Sequence, residues 1–132
     1  MRHLIISFVV ASQLFSYTIN INLKGLEDTK GQIRIGLFDK EENFLDNDAV
    51  YIGTIVKADT TNIEFKDIPA GEYAISLYHD KNSNNILDTN FLGIPKEGYG
   101  FSQNPNVFGA ADFEDAKFEL NSDKTLDIEV KY

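Results

Sequence analysis

The sequence predicts an all-β fold, a single β-sandwich of about six to eight antiparallel strands with long loops at one end. Two observations predict it. Apolar and polar residues alternate with period two over several short stretches, the pattern of half-buried strands. Clusters of Gly, Pro, Asn and Asp separate these stretches, and none of them sustains a 3.6-residue period. A barrel is the second architecture that fits this pattern. The 132 residues suffice for one domain and are too few for two ordinary ones.

The elements follow in chain order. Tyr17, Ile19, Ile21 and Leu23 alternate with Thr18, Asn20 and Asn22 in a first strand. Glu27 to Gly31 reads as a turn, and Ile33, Ile35 and Leu37 form a second strand, so the two are expected to pair as a hairpin. Asp39 to Asp48 is polar around Phe44-Leu45 and suits a short helical turn under the sandwich. Val50 to Lys57 and Asn62 to Phe65 are the third and fourth strands. Pro69 and Gly71 set a turn into the fifth, where Tyr73, Ile75 and Leu77 alternate with Ala74, Ser76 and Tyr78. Asp80 to Thr89 is a polar loop, Phe91 to Ser102 a glycine-punctuated stretch, and Asn104 to Asp112 irregular. Glu114 to Leu120 reads as strand, and Leu126, Ile128, Val130 and Tyr132 close the chain as another.

Residues 1–16 carry the marks of a secretory signal peptide: a basic start at Arg2 and His3, an apolar run from Leu4 to Ala11, and small residues at Ala11, Ser12 and Ser16. Cleavage is expected after Ser16, with Ser12 as the alternative, leaving 17–132 as the sandwich domain. The run is shorter than the ~20 residues a spanning helix needs, so the mature chain is expected to be secreted or periplasmic, at the cell envelope, with no membrane span.

Charge narrows the partners. The chain has 12 Lys+Arg against 21 Asp+Glu, and loss of Arg2 with the leader takes the net charge from −9 to −10. Such a domain repels phosphate backbones, so no nucleic-acid partner is expected, and cations are its natural counter-species. The absence of cysteine excludes disulfides, thiolate chemistry and Cys-based zinc sites within these residues.

One stretch has the spacing of a metal loop. Asp80-Lys81-Asn82-Ser83-Asn84-Asn85-Ile86-Leu87-Asp88 places oxygen side chains at positions 1, 3, 5 and 9, from Asp80, Asn82, Asn84 and Asp88. Alternate residues of a tightly curled loop point inward, and the carbonyl of position 7, Ile86, is a further ligand. Position 6 demands a left-handed backbone; Asn85 stands there, and Asn tolerates that region best after Gly. Ile86 and Leu87 are expected to tack the loop onto the core. Position 12 is Phe91, so the bidentate acid of a full helix–loop–helix site is missing, and Glu97 is the acid that can fold back. The ion expected is calcium, bound weakly, with Kd on the order of 0.1–1 mM. The alternative is a plain polar hairpin loop, since Asn, Asp and Ser favour turns without any metal.

Other residues carry two readings each. His79 shares parity with Ile75 and Leu77, so it faces the core at a strand end; alternatively His79-Asp80 is a base with its orienting acid. Glu97 is a solvated loop charge, a salt-bridge partner of Lys96 or Lys117, or a general acid in a glycine-rich loop beside aromatics. Ser102 lacks a nucleophile-elbow motif. Tyr51, Tyr78, Tyr99, Phe91, Phe101, Phe108 and Phe113 either plug the open end of the sandwich or form a ligand surface.

The run His79-Asp80, then Asp88-Thr89-Asn90-Phe91-Leu92-Gly93-Ile94-Pro95-Lys96-Glu97-Gly98-Tyr99-Gly100-Phe101-Ser102, then Phe113 to Phe118, resembles an uncharacterised bacterial secreted family, domain of unknown function 2141. Ile68-Pro69-Ala70-Gly71-Glu72-Tyr73 matches its pattern too. The resemblance covers nearly all of the mature chain. It implies an exported single-domain protein with a signal peptide and brings no activity. The family's loop after His79-Asp80 commonly carries a glycine, near the place where Asn85 stands here. The Pro-Ala-Gly-Glu-Tyr turn is also similar to those of transthyretin-like and carboxypeptidase-regulatory sandwiches, a likeness of fold (immunoglobulin-like or transthyretin-like) that carries no function.

The leading expectation is an exported, non-enzymatic sandwich that binds calcium weakly at 80–88 and presents its 80–113 loops to a protein, a glycan or a small ligand. The alternatives are a hydrolase-like enzyme using His79, Asp80 and Glu97, or a structural cell-envelope subunit.

Overall fold

A computed structural model describes residues 15–87, 97–107 and 109–132. Eight strands run in chain order: β1 (Ser16–Lys24), β2 (Gln32–Phe38), β3 (Ile52–Lys57), β4 (Asn62–Pro69), β5 (Gly71–Asp80), β6 (Tyr99–Phe101), β7 (Phe118–Leu120) and β8 (Lys124–Glu129). A 3-10 turn (Glu41–Asn43) and a one-turn helix α1 (Phe113–Ala116) lie between them. The strands form two sheets, β4-β1-β8 and β3-β2-β5-β6, with β7 also paired to β5. This is the expected β-sandwich.

The alternating residues of β1, β2 and β5 bury one face of each strand. Ile19 and Ile21 from the first sheet meet Ile33, Leu37 and Ile75 from the second in one continuous core, all of them fully buried. Tyr73 closes one end of it. Its hydroxyl donates to the Pro69 carbonyl at 2.6 Å, a tyrosine corner of the kind that pins Greek-key turns. Burial pushes this phenol above its ordinary range.

The structure differs from the sequence expectation in three places, two in strand pairing and one in an element's type. β1 and β2 are not a hairpin: β1 pairs with β4 and β8, β2 with β3 and β5. The connection between them opens at Gly25 and closes at Gly31, both with positive φ, and arches from one sheet to the other. A two-residue turn would hold the strands in one sheet; a long connection does not. The β1–β8 pair is parallel, which the even alternation of either strand leaves open. Finally, 113–116 is helical. Phe113 and Ala116, three apart, both bury, and a single helical turn puts them on one face.

A second apolar cluster lies on the outer face of the five-stranded sheet. Phe44, delivered by the 3-10 turn, packs edge-on against Phe38 and Phe113 at 5.4 and 5.7 Å. Phe101, Ala74 and Ala116 complete it. The aromatics therefore plug part of this face; Phe91 and Phe108 lie outside the described residues.

Candidate functional site

β5 ends at His79 and Asp80, and strand alternation sends the two side chains to opposite faces. Both are fully buried. His79 turns inward. Its Nδ1 lies 2.7 Å from the Tyr132 hydroxyl and its Nε2 lies 2.6 Å from the Lys30 carbonyl. A carbonyl only accepts, so Nε2 carries the proton and Nδ1 accepts from Tyr132. The Glu27 N–H then donates to the tyrosine oxygen at 3.0 Å. Every polar atom of this chain of contacts is satisfied with His79 neutral, and none of the contacts is to Asp80.

Asp80 turns outward and curls the loop that follows. Its Oδ1 accepts the Asn84 N–H at 3.1 Å, and its Oδ2 accepts the Asn85 N–H at 2.8 Å and the Gln32 side-chain amide at 3.0 Å. Asn82 Oδ1 accepts the Asn84 N–H at 3.2 Å, and Asn84 Oδ1 accepts the Ile86 N–H at 3.1 Å. Positions 1, 3 and 5 thus each fold an oxygen back along the same short arc. Asn85 takes the left-handed conformation at φ 68°, as position 6 requires. Its carbonyl accepts from Tyr78 at 3.0 Å, and its Oδ1 accepts from Arg34 at 2.6 Å and Gln32 at 3.0 Å. Burial pushes the Tyr78 phenol up, with Arg34 pulling the other way.

Glu97 is buried, with 6% of its surface exposed. Its Oε2 accepts the Lys81 N–H at 2.7 Å, which brings a second carboxylate to the residue next to Asp80. On the other side of the strand end, Lys81 Nζ bridges Glu27 at 3.0 Å and Asp28 at 3.1 Å. The Lys30 backbone N–H and then the Lys81 ammonium hold the Asp28 carboxyl below its ordinary range, while Glu27 and Asp28 push Lys81 up. Lys81 is therefore neutralised away from the Asp80 and Glu97 carboxylates.

A family model described as "Uncharacterized protein conserved in bacteria (DUF2141)" matches residues 21–129. The chain belongs to this family. No curated protein and no solved structure matches it significantly. The DUF2141 match spans the whole of β2 to β8, and with it His79, Asp80, the loop and Glu97.

Within this DUF2141 domain the predicted loop residues fall as follows. Asp80, Asn82, Asn84 and Ile86 are on one arc; Asp88 lies outside the described residues, as do Phe91 to Lys96. Ile86 does not tack the loop to the core. It is 58% exposed, because the left-handed turn at Asn85 swings it outward, and only Leu87 is half-buried. Glu97 is not a solvated charge, and Lys117 is engaged by Glu72 and Glu114 instead. Ser102 is structural: it is fully buried, accepts the Ile75 N–H at 2.9 Å and donates to the Ala116 carbonyl.

Gln32, Arg34 and Gly31 shape the site and escaped the sequence reading. Gly31 has φ 74°, and a Cβ there would sit 2.2 Å from the Asp80 carbonyl oxygen, so only glycine admits the close approach. Its position between Lys30 and the β2 alternation was the available signal. Gln32 and Arg34 read as ordinary outward strand residues, since their contact with Asn85 spans about fifty residues of sequence.

Proposed function

We propose that this DUF2141 domain is an exported, non-enzymatic binding module whose 80–88 loop takes calcium weakly. The observation that supports the reading is the pair of buried carboxylates, Asp80 and Glu97, joined through the Lys81 backbone next to an arc of amide oxygens. The donors are hard oxygens, which suit calcium. Asp80, Asn82, Asn84, the Ile86 carbonyl and Asp88 would hold the ion, with Glu97 as a further ligand. Among the described residues no three His, Cys, Asp or Glu side chains gather, so the set is amide-rich and its affinity low. The partner presented to the loops is a protein, a glycan or a small ligand.

Thermal unfolding tests the ion. With Kd near 0.1 mM, about 1 mM calcium adds roughly 1.4 kcal/mol, or about 5 °C of melting temperature, relative to EDTA. Asp80→Asn and Glu97→Gln should each abolish most of that shift. Identical melting curves in EDTA and millimolar calcium would defeat the reading.

Export has its own measurement. Intact mass of protein recovered from periplasm or medium should correspond to a chain beginning after Ser16 or Ser12. A full-length mass found only in the cytoplasm would contradict it. Among the described residues no helix is long and apolar enough to cross a membrane.

A further inference from the structure

The outer face of the five-stranded sheet holds a groove that the loop chemistry does not use. Strand register explains it. Gly53 of β3 lies opposite Gly36 of β2, and Gly36 lies opposite Ser76 of β5. Three neighbouring strands therefore present no side chain, none and a small one, and a trench is sunk across the sheet. The parallel row alongside it is tall: Ile55, Arg34, Tyr78 and Tyr99 stand opposite one another in sequence across β3, β2, β5 and β6. Phe38 stands in the row on the far side, Phe101, opposite Ser76, closes the β6 end of the trench, and Val50 leans over the two glycines. The resulting cavity is about 640 Å³, within the range of sites that enclose small molecules. Leu45 and Ile55, two of the few large apolar side chains left exposed, also line it.

Its electrostatics are lopsided. Arg34 is the only charged residue among those described along the groove. Among the described residues ion pairs form at Lys81 and Lys117, and none at Arg34. Its hydrogen-bond partner is neutral, the Asn85 amide oxygen at 2.6 Å, and Tyr78 stands opposite it in the sheet. In a chain with 21 carboxylates against 12 bases, this half-buried guanidinium forms no ion pair with a described carboxylate. Asn85 engages one donor of a planar fork that has five, and the fork geometry matches a carboxylate.

We propose that the groove binds a small apolar molecule bearing a carboxylate. The apolar body lies along the Gly53–Gly36–Ser76 row, between the Tyr78 row and Phe38, with Phe101 at its end, and the carboxylate pairs with Arg34. The chain's net negative charge opposes every anion, and burial of an apolar body offsets that repulsion, so the site selects amphiphilic acids over inorganic ones.

Isothermal titration of the purified chain tests this, with 2-naphthoate and decanoate as probes and their alcohols as uncharged counterparts. EDTA is present throughout, so the outcome is independent of the calcium loop. At least one acid should bind one-to-one with Kd below about 1 mM, and at least tenfold more tightly than its alcohol. Arg34→Gln should erase the difference between acid and alcohol. Gly53→Val should abolish binding of both while the variant still unfolds in one cooperative thermal transition. A Cβ at Gly53 meets its nearest neighbour, a Val50 methyl, at an ordinary 3.6 Å, and Val favours strands. No binding of either acid at millimolar concentration overturns the proposal, as does binding undiminished in Gly53→Val. Equal affinity for acid and alcohol overturns the ligand class.

Discussion

Asp80→Ala should lower the unfolding free energy by about 3 kcal/mol in urea denaturation without calcium. The carboxylate is fully buried and accepts from Asn84, Asn85 and Gln32. Each buried donor left without an acceptor costs about 1–3 kcal/mol. Two terms hold the total down. Asn84 and Asn85 are exposed, so their N–H groups regain water once the loop opens, and removing a buried charge relieves its desolvation. Asp80→Asn keeps the shape and one acceptor, and should lose about half as much. Proteolysis within residues 81–87 should accelerate in the alanine variant, because Asp80 is what curls that arc. A loss below about 1 kcal/mol would mean that the loop holds itself, with Asp80 a bystander to its shape.

His79→Ala should cost about 3–4 kcal/mol in the same measurement. The imidazole is fully buried, and its removal leaves a cavity as well as an unmatched Lys30 carbonyl and Tyr132 hydroxyl. Its ring also packs edge-on against Tyr132 at 6.0 Å. The effect therefore reaches the chain's last residue and the Gly25–Gly31 arch together. Tyr132→Phe removes only the hydroxyl and should lose about 1 kcal/mol. If His79→Ala were neutral, its buried hydrogen bonds would carry no stability and the acid–base reading of His79 would regain ground. The present geometry argues against that reading, since the ring nitrogens are occupied by a carbonyl and a phenol rather than by an acid.

Much of this site was legible because it depends on local rules. The alternation through Tyr73, Ile75 and Leu77 continues to His79, so the parity argument places the histidine in the core where it is found. The spacing of Asp80, Asn82 and Asn84 makes a curled arc legible. Asn85 at position 6 foretells its left-handed backbone, because few other residues accept φ 68° there. Glu97 was visible as a loop acid and not as a buried one. Its burial comes from the Lys81 N–H sixteen residues away, and the Lys96-Glu97-Gly98 stretch carries no trace of that bond.

The sandwich, its main strands and the outward or inward sense of the alternating side chains of β1, β2 and β5 were determined by the sequence alone. Periodicity is a property of a single strand and shows in its own residues. The tertiary structure decided which strands neighbour one another. It put β1 beside β4 and a parallel β8, turned 113–116 into a helical turn, and brought Gly53, Gly36 and Ser76 into one row. Each of those outcomes depends on pairing between distant segments, where the energy lies in burying one face against another rather than in the pattern of either strand. A glycine in a strand reads as a weak point on its own. Set opposite a second glycine, it becomes the floor of a groove.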